Sequence, residues 1–220
     1  LFGWDILLGT VPPQNTNIYL RRILDEKRNK RIIVHYLQPH APYISLKYFI
    51  VGYPMPNVKK QKILDSTASR DKFEKLYDYY RKIERFLETF GTKLKTGNLW
   101  LFKLREHLRM PPAGPADAVR RKYGINAVRK AYMENLMVVL ETITKVLKDA
   151  SGKIVITSDH GEGLGEEGIF EHPSRSKSDF LRIVPYFTVR GISSNNSCRY
   201  SMYPVKLRIR LLKNFLLKMR

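Results

Sequence analysis

The residues of this chain best suited to chemistry are a carboxylate and an imidazole side by side, Asp159-His160, with His172 shortly after them. They follow Lys153-Ile-Val-Ile-Thr-Ser158 and open a glycine-punctuated stretch, Gly161-Glu-Gly-Leu-Gly165-Glu166. A short β-branched run of this kind reads as a buried strand. In α/β sheets, sites collect just beyond the carboxyl ends of strands, where this sequence places both groups. Neighbouring oxygen and nitrogen donors suit zinc or manganese ahead of magnesium or calcium.

A second candidate position repeats that placement. Arg31-Ile-Ile-Val-His35-Tyr-Leu37 is another β-rich run, stopped by Gln38-Pro39-His40-Ala-Pro42-Tyr43. The prolines fix the local φ angles and block continuation of helix or ladder, so His40 is expected on a stiff loop past a strand. A catalytic ion takes three protein ligands and keeps an open position. Asp159 and His160 supply two, and His172 or His40 supplies a third or serves a second ion. Asp-His-Gly is also a common turn, with the aspartate bonding backbone amides and glycine taking a positive φ. The preceding strand, the glycine loop and the two further histidines carry the metal reading over the bare turn. Glu162 and Glu166 read as solvated loop glutamates, and His107 as a surface or packing histidine on a basic helix.

The elements that must position these groups follow from periodicity. A short helix is expected over 18–28, with Asn15 or Thr16 as its cap. Phe73, Leu76, Tyr80, Ile83 and Leu87 recur at helical spacing over 69–90, and a shorter basic helix over 98–110 is halted by Pro111-Pro112. The longest helical stretch is 117–147, broken at Gly124, with Val128, Tyr132, Leu136, Val139, Ile143 and Val146 on one face. Ser151-Gly152 closes it and feeds the Lys153 strand. Strand, helix, strand makes a βαβ unit with a parallel sheet, hence an α/β class. Ile183-Val-Pro-Tyr-Phe-Thr-Val189 is a further strand, in which Pro185 disfavours a central ladder position. Residues 1–198 read as one domain with a helical insertion over about 60–115, and 199–220 as a basic tail.

Charge bounds the partners. Forty basic residues against 20 acidic ones give a net charge of +20 over 220 residues. Such an excess attracts anions: a phosphate- or sulfate-ester substrate, or an anionic membrane surface under the basic, aliphatic-interleaved tail. Nucleic acid is disfavoured, because no module of known pattern is present and core packing accounts for Tyr77, Tyr79 and Tyr80. An apolar fraction of 43% and a mean hydropathy of −0.35 describe a soluble chain with a core. No run reaches the roughly 20 apolar residues of a membrane span, and Leu1-Phe-Gly-Trp-Asp5 lacks the regions of a signal peptide. A cytoplasmic location, with membrane association through the tail, is the expectation. The lone cysteine, Cys198, excludes an internal disulfide.

Taken together, Ile154 to Glu166 with Glu171-His172 resembles the C-terminal signature of sulfatase-like enzymes in the alkaline phosphatase superfamily. It is also similar to lipoteichoic acid synthases and phosphoethanolamine transferases. Val34-His35-Tyr-Leu-Gln-Pro39-His40-Ala-Pro42-Tyr43 resembles that superfamily's central strand and Pro-His-x-Pro loop. The stretch Ala131-Tyr132-Met-Glu-Asn135-Leu136 resembles the helix before the last metal strand, especially in archaeal sulfatase-like proteins. The resemblance covers about residues 31–190. It implies an α/β/α sandwich, with Asp159 and His160 as ligands of the principal metal. It further implies that His172 serves a second metal or the substrate's anionic group, and that His40 holds substrate or a second ion. No role is carried onto His35. These enzymes begin with a strand, an acidic ligand and a nucleophile, which nothing before Arg31 matches; Asp5, Thr10 and Cys198 lie in the wrong surroundings. The expectation is therefore a metal-dependent phosphate or sulfate ester hydrolase or transferase, N-terminally truncated, weakly active or inactive alone, with a complementary N-terminal chain as a candidate partner. The alternative is a degenerate, non-catalytic domain that binds anionic polymer or membrane through its basic face.

Overall fold

A computed structural model of the chain describes residues 3–26, 30–45, 97–147, 149–173 and 176–190. The expected helix over 69–90 with its tyrosines, Arg175, Cys198 and the basic tail lie outside the described residues. The class is mixed helix and sheet. Helices are α1 (Pro13–Glu26), α2 (Leu99–His107), α3 (Pro115–Tyr123) and α4 (Ile125–Val146). Strands are β1 (Lys153–Thr157), β2 (Gly163–Leu164), β3 (Phe170–Glu171) and β4 (Tyr186–Arg190). The chain divides into two compact units, one drawn from Leu1–Ser45, Ala131–Gly161 and Ile183–Arg220, the other from Leu46–Lys130 and Glu162–Arg182. No helix among the described residues is long and apolar enough to cross a membrane.

In the first unit α1 begins at Pro13, earlier than expected, because proline at the first helical position has φ preset and no amide to waste. Asn15 and Thr16 therefore lie inside the helix and do not cap it. The α4 stripe behaves as its spacing requires: Ala131, Tyr132, Leu136, Val139, Leu140 and Val146 are buried. Asn17, on α1, donates to the Thr142 carbonyl at 2.8 Å and accepts from the Tyr36 hydroxyl at 2.6 Å. Burial pushes the Tyr36 phenol up to about 12.

The expected parallel sheet is not what the described residues form. β1 pairs antiparallel with β4, from Lys153 opposite Arg190 to Thr157 opposite Tyr186. Residues 31–37 alternate between exposed and half-buried, as a strand would, but belong to no ladder among the described residues. β1 alternates in the same way with no residue fully buried, and Val155 is 39% exposed, so the expectation of a buried strand is corrected. The physical reason is cover: one antiparallel neighbour protects one edge of a strand and leaves its faces open.

The second unit packs around Phe170, fully buried, with Leu101, Phe102, Ala118, Val119, Leu164, Ile169 and Leu181. The Phe102 and Phe170 rings are 5.7 Å apart at their centroids. Asn98 acts as a one-residue strand: its side chain accepts from the Phe170 amide at 2.8 Å and donates to the Phe170 carbonyl at 2.9 Å. Gly97 has a φ of +62° and lies against the Gly168 backbone, where a Cβ would clash. Asp117, fully buried, holds Arg120 and Arg121 at 2.8 Å each and accepts from the Ala113 amide at 3.0 Å. That network ties the start of α3 to the proline loop before it and explains the charges there as structural.

One buried side chain fixes the loop that carries His40. Asn135, fully buried on α4, accepts from the Ile44 amide at 2.9 Å. Its amide group is shared among the carbonyls of Pro39, His40 and Pro42 at 3.2 to 3.3 Å. An asparagine in the middle of an apolar stripe is the trace this role leaves in the sequence. Asn135→Ala strands an amide and several carbonyls away from water, and a loss of about 3 kcal/mol is expected in chemical denaturation; a loss below about 1 kcal/mol would show that the loop does not depend on this side chain.

Candidate functional site

Asp159 and His160 stand where the sequence put them, at the carboxyl end of β1. The pair is built by local backbone. The His160 amide donates to Asp159 Oδ1 at 3.1 Å, a bond to the next residue and not to the one after it, and Gly161 is not among the glycines at positive φ, so the expected aspartate turn is not formed. The other carboxylate oxygen, Oδ2, lies 3.9 Å from His160 Nε2. His160 Nδ1 is 2.8 Å from the Gly161 carbonyl oxygen. A carbonyl only accepts, so Nδ1 carries the hydrogen and Nε2 carries the lone pair.

His35 joins this pair. Its Nε2 lies 3.8 Å from the same Asp159 Oδ2. The alternation of burial over 31–37 puts His35 on the exposed side, together with the apolar Ile33 and Leu37, so the sequence pattern alone carries no signal for it. Burial pushes the Asp159 carboxyl up. The hydrogen bond from its own amide, the charge of His160, the His160 amide and the charge of His35 together outweigh that and hold it below the usual carboxylate value. Asp159 is 64% exposed, so this is a solvent-facing site with modest electrostatic strength.

His40, in the first unit, has Nδ1 2.6 Å from the Ala41 carbonyl oxygen, so it too presents a lone pair at Nε2. His172 belongs to the second unit, where Nδ1 lies 3.4 Å from Glu162 Oε2. Glu162 is not the solvated loop glutamate expected: its side chain is 8% exposed. Glu166 is exposed, as expected of a solvated loop glutamate, while its carboxylate accepts from the Leu164 amide at 2.7 Å and faces Arg129 at 3.3 Å. Arg129 also donates to the Leu164 carbonyl at 3.2 Å, so the glycine stretch is pinned by one carboxylate and one guanidinium. His107 is exposed, as its reading as a surface histidine requires, and Lys177 is exposed as well.

Among the described residues Asp159, His160 and His35 offer oxygen and nitrogen donors but do not bring three ligand atoms within 4.8 Å of one another. Asp159 offers carboxylate oxygens, His160 offers a fixed Nε2, and His35 brings a further nitrogen to the same carboxylate. No family model, no curated protein and no solved structure matches this chain. The site therefore has to be read from its own atoms.

A pH experiment follows from Asp159. Its folded value lies below the ordinary 3.8, so its contribution to stability is present above that pH and is lost as pH falls through the folded value. The stability gap between the parent chain and Asp159→Asn is expected to be present at about pH 5 and to narrow as pH falls from there below about pH 4. Urea midpoints along that series measure it, and a gap that widened on acidification would contradict the arrangement.

Proposed function

We propose that this chain is the metal-binding part of a phosphate or sulfate ester hydrolase or transferase of the sulfatase-like type, with the α/β/α layering that goes with it. What supports the reading is His160. Its Nδ1 is tied to the Gly161 carbonyl, and its Nε2 is thereby left as a base beside the Asp159 carboxylate. Zinc or manganese suits that donor set, with magnesium or calcium as the harder alternatives. When bound, such an ion neutralises non-bridging ester oxygens and lowers the pKa of a nucleophile.

The chain's own residues do the rest. Asp159 is ionised through the neutral range, as any carboxyl at or below the ordinary value is. His160 keeps one nitrogen fixed in its hydrogen bond and so presents the other in a defined direction. His40 and His172 are assigned to the ester's anionic group or a second ion. The net charge of +20 raises the local concentration of any anionic ester. No residue of this chain is assigned as nucleophile.

The same charge supports a second reading, a non-catalytic domain that binds anionic polymer or membrane. One experiment separates the two. The purified chain and its Asp159→Ala variant are compared for bound zinc and manganese by elemental analysis, and for hydrolysis of aryl phosphate and aryl sulfate. Metal uptake that falls at least about 10-fold in the variant, with any turnover lost alongside it, supports the enzyme reading. Equal metal content and equal turnover in both chains overturns it. Salt-sensitive binding to anionic vesicles that ignores the substitution, in a metal-free chain, favours the second reading.

A further inference from the structure

We infer that Glu162 is a positioning residue for His172, set opposite it by the register of the β2–β3 hairpin. The inference rests on the proposal that His172 serves an ion or an anionic ester. In the ladder Gly163 faces Glu171 and Leu164 faces Phe170. Antiparallel register keeps the sum of paired numbers constant, so the next pair outward is Glu162 and His172. Gly165 bonds back to the Ile169 carbonyl at 2.8 Å on the same register. The backbone of the hairpin alone therefore brings the carboxylate to the ring.

The environments of the two groups differ in a useful way. The Glu162 side chain is 8% exposed and that of His172 is 42% exposed, with Oε2 3.4 Å from Nδ1. A carboxylate withdrawn from water needs a donor close by, and a ring nitrogen that bears hydrogen supplies one. The carboxylate only accepts, so it selects the tautomer with hydrogen on Nδ1 and the lone pair on Nε2. A carboxylate behind an imidazole in this way also raises its basicity and fixes its orientation. Glu166, by contrast, is occupied with the loop backbone and Arg129, and has no such relation to a ring.

The test uses the full chain with histidine labelled in nitrogen-15, and zinc alone as the probe. In metal-free protein the His172 ring is expected as the Nδ1–H tautomer. In Glu162→Leu, which removes the acceptor without leaving a buried polar group, the Nε2–H tautomer should dominate. Glu162→Gln keeps an acceptor oxygen and should restore part of the original population. Zinc affinity is expected to fall by about 10-fold or more in Glu162→Leu, and by nothing further when the substitution is made in His172→Ala. An Nε2–H tautomer in the parent chain overturns the inference without any variant having to fold. So does an unchanged tautomer in Glu162→Leu, or an equal loss of zinc affinity with and without His172. A chain that takes up no zinc overturns the proposed function and leaves the tautomer readings to decide this inference.

Discussion

Every buried backbone amide and carbonyl has to find a partner, and the described part of this chain has few ladders to offer. One sheet contributes five residue pairs and the other two. Three buried asparagines make up part of the difference. Asn17 joins α1 to α4 and to Tyr36, Asn98 stands in for a strand beside Phe170, and Asn135 gathers the proline loop onto α4. Each amide carries both a donor and an acceptor, so one side chain can close two open backbone positions. The loops that bear histidines are held by such side chains as much as by secondary structure. This explains how a segment as irregular as 38–45 is kept in a defined conformation.

The same economy of hydrogen bonds governs the imidazoles. His40 and His160 each place Nδ1 against the carbonyl of the following residue, at 2.6 and 2.8 Å. In both cases the carbonyl of the next residue in sequence selects the tautomer. The consequence is that Nε2 takes either a proton or a metal, and the two compete for one lone pair. Asp159 is a counter-charge for whichever cation arrives.

Much of this is legible in the sequence, and the failures have physical causes. Helical periodicity locates α4, its break at Gly124 and its buried face, because apolar residues at 3.6 spacing line up on one side only when the chain is wound as a helix. The end of β1 follows from a β-branched run that gives way to polar, glycine-rich residues. The pairing of β1 does not, since alternation shows that a strand exists and says nothing of its neighbour or its direction. The solvated reading of Glu162 fails because residue type and local composition set no burial; only the hairpin register turns it inward. His35 draws no role on the assumption of a buried strand, whereas the odd-numbered residues of 31–37 face outward. Asn135 is legible in principle, as a polar residue on an apolar face.

The register of the small hairpin has a consequence for how this region tolerates change. Glu162 and His172 meet because the count between them is fixed, with the turn closed by Gly165 at a φ of 107°. Substitutions within the turn can preserve that count, but a single inserted or deleted residue slides one strand past the other and sends the carboxylate and the ring to opposite faces. Length is therefore guarded in this segment, together with the buried identities of Leu164, Ile169 and Phe170 and the glycine that turns the chain. Related sequences that keep the pair should hold the separation of its two members constant.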